Sequence, residues 1–357
     1  MLLEPQRATM LFVMTNPVSP RAAVSSSTSL WAGVAFSFAF TALIYFLAAR
    51  LEAVPHAPDT GAEHYYWKLI DPTLVSRFSV WGLYLLHQVA IWWTIWYAQT
   101  KVKTYSGSLR AVNYWALGIN ALFIALHLVQ THLFYDGLAQ DVSIFSSQGS
   151  VIVLLVLVLI MENKRRGMFF GRKAPLSAEV VDFVRHYHGY FFAWATIYTF
   201  WYHPMEATLG HLVGFLYTFF LMLQGALMLT RAHVNRVWNL VLEVSVLFHG
   251  TMVAVLQGNG LWPMFFFGFA GIFVVTQMYG LKLTALTRGL ILAAYCGAVV
   301  YVYAGRGWGK LNEIIRIPAI DYLAVFVLTG LIWLGLWVAK KINPKLSFAR
   351  DRGSVTS

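Results

Sequence analysis

The chain holds a single cysteine, Cys296, among 357 residues. One thiol excludes an intrachain disulfide, cysteine-ligated iron–sulfur clusters and cysteine-rich zinc sites. Any metal is left to histidine and carboxylate, or to a haem. Charge is scarce too: Asp, Glu, Lys and Arg are 11% of the residues, against about 25% in soluble domains. Acidic residues are the rarer sign, 15 against 26 basic, for a formal net charge of +11. The basic residues are confined to short segments between apolar runs, such as Lys164, Arg165, Arg166, Arg172 and Lys173. That placement is the mark of membrane orientation and argues against nucleic acid as a partner. Strand-like alternation is also missing. Runs such as VIVLLVLVLIM, Val151 to Met161, exclude a transmembrane barrel.

What is present is apolar: 59% hydrophobic residues and a mean hydropathy of +0.62. Repeated runs near the length of a bilayer crossing predict an all-α, polytopic transmembrane helical bundle. About ten spans are expected: Leu30–Ala49, Val80–Ala98, Ala111–Phe134, Val142–Met161, Val180–Tyr202, Met205–Leu229, Val237–Leu256, Pro263–Leu281, Leu290–Ala304 and Ile317–Ala339. Pro204 suits the end of the fifth helix and the first turn of the sixth. Residues 1–29 read as a flexible tail, 30–340 as one transmembrane domain and 341–357 as a basic tail.

Lys and Arg give the orientation. They follow spans 2, 4, 6, 8 and 10 and are absent from the connections after spans 3, 5 and 7. The connection after span 9 is the exception, with Arg306, Lys310 and Arg316. Both termini are therefore expected on the cytoplasmic side of a multi-pass membrane protein, in the plasma or inner membrane if the source is bacterial.

Orientation converts positions into depths. Six of the eleven histidines fall between His186 and His249. His127, His132, His203, His211 and His249 are all expected in the outer half, and His87 at mid-depth. His186, His188 and His233 lie beside arginines at the inner surface and read as interfacial. Asn113, Asn120, His127 and Thr131 form one polar stripe on span 3. His132 and Asp136, four apart, touch if that helix continues. Singly, each histidine is more simply an inter-helix hydrogen bond. Jointly they indicate a site, because ionisable groups in hydrocarbon cost several kcal/mol without a role.

Imidazole is the commonest metal ligand and requires an orienting partner on its second nitrogen. The expected metal ligands are His127, His132, His203, His211 and His249, with Glu206 as carboxylate ligand or base and Glu243 as the partner behind them. Haem b, held by two of His87, His127 and His249, is an alternative that would make the protein an electron carrier. The favoured reading is a metal-dependent membrane oxidoreductase of lipid metabolism, with iron ahead of copper or zinc. It would act on an apolar or lipid substrate within the bilayer and draw on an electron donor. A zinc hydrolase or acyl-transfer enzyme and a proton-coupled transporter with a histidine relay are the other readings. The HxxxH and HxxHH boxes of membrane desaturases, HExxH, G-x-S-x-G and the Walker loop do not occur.

Overall fold

Capping hydroxyls and amides mark where the helices begin. The structure, a computed structural model, describes residues 24–58, 64–102, 104–258 and 260–343. It is 78% helix without strands, so a barrel is ruled out in these residues. The α-helices are α1 Ser26–Leu47, α2 Leu74–Lys101, α3 Ala111–Phe134, α4 Ile144–Arg166, α5 Ala178–Tyr202, α6 Leu209–Ala226, α7 Arg236–Leu256, α8 Trp262–Val275, α9 Ala285–Arg306 and α10 Glu313–Ile342. Side-chain oxygens of Ser25, Thr73, Ser143, Thr208, Asn235 and Thr284 accept the first backbone N–H groups of α1, α2, α4, α6, α7 and α9. Each such cap stabilises its helix by about 1 kcal/mol.

Among the described residues, eight helical segments are long and apolar enough to cross a membrane, as a multi-pass integral membrane protein requires. The other two long helices are α2 and α5, which carry His87, Gln88 and Thr94, and Glu179, Asp182 and Arg185. Large apolar side chains such as Phe46, Leu74 and Tyr301 stand exposed around the bundle. In water this would be an aggregation surface; against lipid it costs nothing.

Contacts among the connections sort them into two ends. At one, the cap end, His56 bonds Tyr135, the Leu69 amide donates to Gln140, the Met205 amide donates to Thr131, and Arg306 donates to the Gly260 carbonyl. At the far end, the Ser106 amide donates to the Leu229 carbonyl, Ser26 to Gly107 and Phe170 to Val275, while Lys340 pairs with Glu179. Beneath the cap end lies the main core of α2, α3, α5 and α6. Phe200, Trp201, Tyr202 and Phe219 are almost fully buried there. Aromatic side chains of this size dominate core energetics.

Three local expectations change. The helix α1 begins at Ser26, so residues 25–29 of the expected tail are its N-cap and first turn, and residues 1–23 lie outside the described residues. Likewise α10 ends at Ile342 and residues 344–357 lie outside them. The third change bears on function. Pro204 does not open the sixth helix, which starts at Leu209 behind the Thr208 cap. Residues 203–208 are a non-helical strap, held to α3 by the Met205 amide on Thr131 Oγ1 at 3.0 Å. His203 and Glu206 therefore sit on this strap and not on helices.

The strap is packed closely. A Cβ at Gly137 would lie 2.5 Å from the Tyr202 carbonyl oxygen. Gly137 has φ −143°, so what it needs there is room. Gly137→Ala should lower stability by about 1–3 kcal/mol, the usual range for overpacking. An unchanged unfolding midpoint in detergent would mean that the strap moves aside freely.

Candidate functional site

At the cap end, the connections bring polar side chains over the histidines. Tyr65, from the long connection between α1 and α2, is buried. Its hydroxyl lies 2.5 Å from His203 Nδ1 and 3.1 Å from His211 Nε2. On the far side of His211, Nδ1 is 2.8 Å from Thr208 Oγ1. Trp67 stands edge-on to the His211 ring, 4.3 Å between centroids. One set of protons satisfies the chain. Thr208 O–H donates to His211 Nδ1, His211 Nε2–H donates to Tyr65, and Tyr65 O–H donates to His203 Nδ1. His203 Nε2 then carries the remaining proton.

A second polar group adjoins it. Tyr135 follows α3 in the left-handed region, at φ 45°. Its hydroxyl donates to Glu206 Oε1 and lies 2.7 Å from His56 Nε2, which donates to it. The turn at Tyr135 also ends α3 before Asp136 can reach His132, overturning the expected contact between them. Asp136 accepts instead from Ser76 Oγ at 2.8 Å and from the Gly137 amide at 2.9 Å.

Burial dominates the electrostatics here. It raises the Tyr65 hydroxyl well above the ordinary phenol value, with Tyr135, Tyr202 and Glu206 adding to the effect. It pulls the His203 imidazole down to about 3, with His249 contributing. Between the ordinary 6.5 and about 3 the unfolded chain binds the proton at residue 203 and the folded chain does not. Stability therefore falls as the pH drops through that window. Acid titration of unfolding should show this loss, and His203→Gln should flatten it. An unchanged acid limb in the variant would assign the sensitivity elsewhere.

The other expected site residues divide. His127 is fully buried beneath the strap, stacked on Trp201 at 4.2 Å, and neither ring nitrogen has a partner among the described residues. His249 packs against α6, its Cε1 3.1 Å from where a Gly214 Cβ would be, and its Nδ1 is buried without a partner. His203 and His211 are 5.3 Å apart between ring centroids. Glu206 is buried beside Tyr135.

His87, His132 and Glu243 are engaged elsewhere. His87 Nδ1 accepts from Trp201 Nε1 at 3.2 Å, so Nε2 holds the proton and donates to Asn120 Oδ1 at 3.0 Å. No lone pair is left for an iron. His132 faces α1, with Nδ1 2.8 Å from the Leu128 carbonyl and Nε2 3.1 Å from that of Leu47. Glu243 accepts from Arg166 Nη1 at 2.6 Å, near the far end, and is not the partner behind the histidines. Among the described residues no three His, Cys, Asp or Glu side chains are grouped as a ready metal cage.

Sequence reasoning missed His56, Tyr65, Trp67 and Tyr135. Periodicity carries no information about a connection, but one signal was available. The run His64-Tyr65-Tyr66-Trp67 places four aromatic rings in a polar segment, and aromatic rings seek burial. No protein-family model, curated protein or solved structure matches the chain.

Proposed function

We propose that the protein is a metal-dependent integral membrane enzyme whose centre lies under the cap end, and that it oxidises an apolar substrate drawn from the bilayer. The observation that supports this is the convergence of His203 Nδ1 and His211 Nε2 on one buried oxygen, Tyr65 Oη, at 2.5 and 3.1 Å. Nitrogen ligands so placed suit iron, zinc or copper, and the reading recruits the rest of the set from Glu206, His127 and His249, which among the described residues are not grouped with them. Closing that set requires the Tyr65 hydroxyl to give up its bonds to both imidazoles or to ligate in its own right, and the His211 proton to move from Nε2 to Nδ1, where it donates to Thr208 Oγ1. Thr208 orients His211, and Tyr135 with His56 orients Glu206, the support from behind that metal ligands need. His132 is left out of the ligand set, His87 out of a haem's and Glu243 out of the support behind them.

The same reading takes α2 and α5 as crossings as well, for ten spans with both termini cytoplasmic and the cap end on the outer side. Lys164 and Arg165 at the end of α4, Lys282 between α8 and α9, and Lys340 and Lys341 at the end of α10 then face the cytoplasm. Iron with an open coordination position suits oxygen chemistry on an apolar substrate. Such a reaction also draws on an electron donor.

Metal analysis and a visible spectrum of the purified protein in detergent test this. Stoichiometric iron or copper without a Soret band is expected. Stoichiometric zinc would move the assignment to hydrolysis, and a Soret band to electron transfer. A chain free of metal after reconstitution attempts would sink the reading and leave the hydrogen-bonded chain as a proton path.

A further inference from the structure

A second polar site lies away from the histidines. Near the far end, α4, α7, α8 and α10 enclose a cavity of about 190 Å³ with walls that are almost wholly apolar. Arg166, Glu243, Gln277 and Asp321 are the polar groups lining it. Three phenyl rings of α8, from Phe266, Phe269 and Phe273, line it too.

The polar groups are not all satisfied. The Arg166 side chain is 2% exposed and gives Nη1 to Glu243. Its Nε and Nη2 have no hydrogen-bond partner among the described residues, and neither does Asp321 Oδ2. Asp321 is itself 2% exposed. Leaving such groups without partners is costly, the more so when they are charged. Nε and Nη2 form one edge of the guanidinium, a fork of two parallel donors that fits a carbonyl or a carboxylate. Charge decides between them. Arg166 is already balanced by Glu243, and Asp321 adds a second acid. A carboxylate ligand would be a third acid against one cation in a low-dielectric site. An uncharged carbonyl oxygen fills the fork without that repulsion.

We propose that this cavity binds an uncharged, lipid-soluble carbonyl compound with a flat ring, of which a quinone is the simplest case. The carbonyl accepts from Arg166 Nε and Nη2. The ring packs on the phenyl groups of α8, and a ring hydroxyl, where the compound carries one, donates to Asp321 Oδ2. The apolar walls take the hydrocarbon part. This site stands independently of the metal centre, since none of its residues belongs to the histidine group.

The experiment is equilibrium binding of three probes to the full chain in detergent: a short-tailed benzoquinone, a fatty acid of matched length and the matched hydrocarbon. Saturable quinone binding is expected, at least tenfold tighter than either of the others. Arg166→Gln alone leaves Glu243 buried and unpaired, so the main variant is Arg166→Gln with Glu243→Gln, alongside Asp321→Asn. The double variant should lose quinone binding at least tenfold while its far-ultraviolet spectrum and metal content match the parent chain. Equal binding of the hydrocarbon, tighter binding of the acid, or full quinone binding by the double variant would each overturn the proposal. Metal content measured on the same samples keeps its failure distinct from that of the histidine site.

Discussion

Arg166→Gln on its own should cost about 3–5 kcal/mol of stability, the usual consequence of removing one member of a buried ion pair. The pair is well shielded: the side chains of Arg166 and Glu243 are 2% and 13% exposed, with Nη1 2.6 Å from Oε2. Taking away the guanidinium leaves a carboxylate in an apolar cavity that already contains Asp321, with no cation to replace it. Glu243→Gln should be nearly as damaging, because it strands a charged guanidinium. Both changes together remove both charges, and two neutral amides of similar size can bond each other. Most of the loss should then be recovered, since replacing a whole buried pair is often close to neutral. Unfolding midpoints of the three variants in one detergent form a double-mutant cycle that reads the coupling directly. Additive losses in the double variant would mean that the two side chains do not act as a pair.

How much of this was legible beforehand differs by level. The helices were, because hydropathy and charge placement act over windows of about 20 residues and a bilayer admits few alternatives. The burial of Asn113, Asn120, His127 and Thr131 on one stripe of α3 followed from helical spacing alone. The partner of each polar group did not follow. His87, expected at mid-depth, and His127, expected in the outer half, were both candidate ligands, yet Trp201 and Asn120 satisfy the first while neither ring nitrogen of the second has a partner among the described residues. Periodicity says which face a residue occupies, and only the neighbouring helix decides what it meets. Connections were least legible. Residues 204–208 of the strap were assigned to the start of the sixth helix because Pro204 suits a first turn, but the capping Thr208 lies four residues on and took that role. Tyr65 and Tyr135 reach the site from segments with no period at all.

His211→Ala should have the largest effect at the cap end, lowering metal affinity by well over 100-fold. The reason lies in how the ring is held. His211 is anchored in the first turn of α6, with its Nδ1 set by Thr208 Oγ1 at 2.8 Å and its ring braced by Trp67. Its Nε2 is thereby aimed at the same point as His203 Nδ1 before any metal arrives, so little ordering remains to be done on binding. Alanine removes the ligand and the preset geometry together. Thr208→Val keeps the ligand but removes its orientation, and should cost the 10–100-fold typical of a lost partner behind a metal ligand. Because Thr208 also caps α6, the cap loss of about 1 kcal/mol must be separated from the effect on metal. Thr208→Ser does this by restoring both cap and hydroxyl, so affinity should return with it. His132→Ala, by contrast, should leave metal content unchanged, since both its nitrogens face carbonyls of α1 and α3. Metal titrations on these four variants discriminate sharply. Equal retention in His211→Ala and His132→Ala would remove His211 from the site.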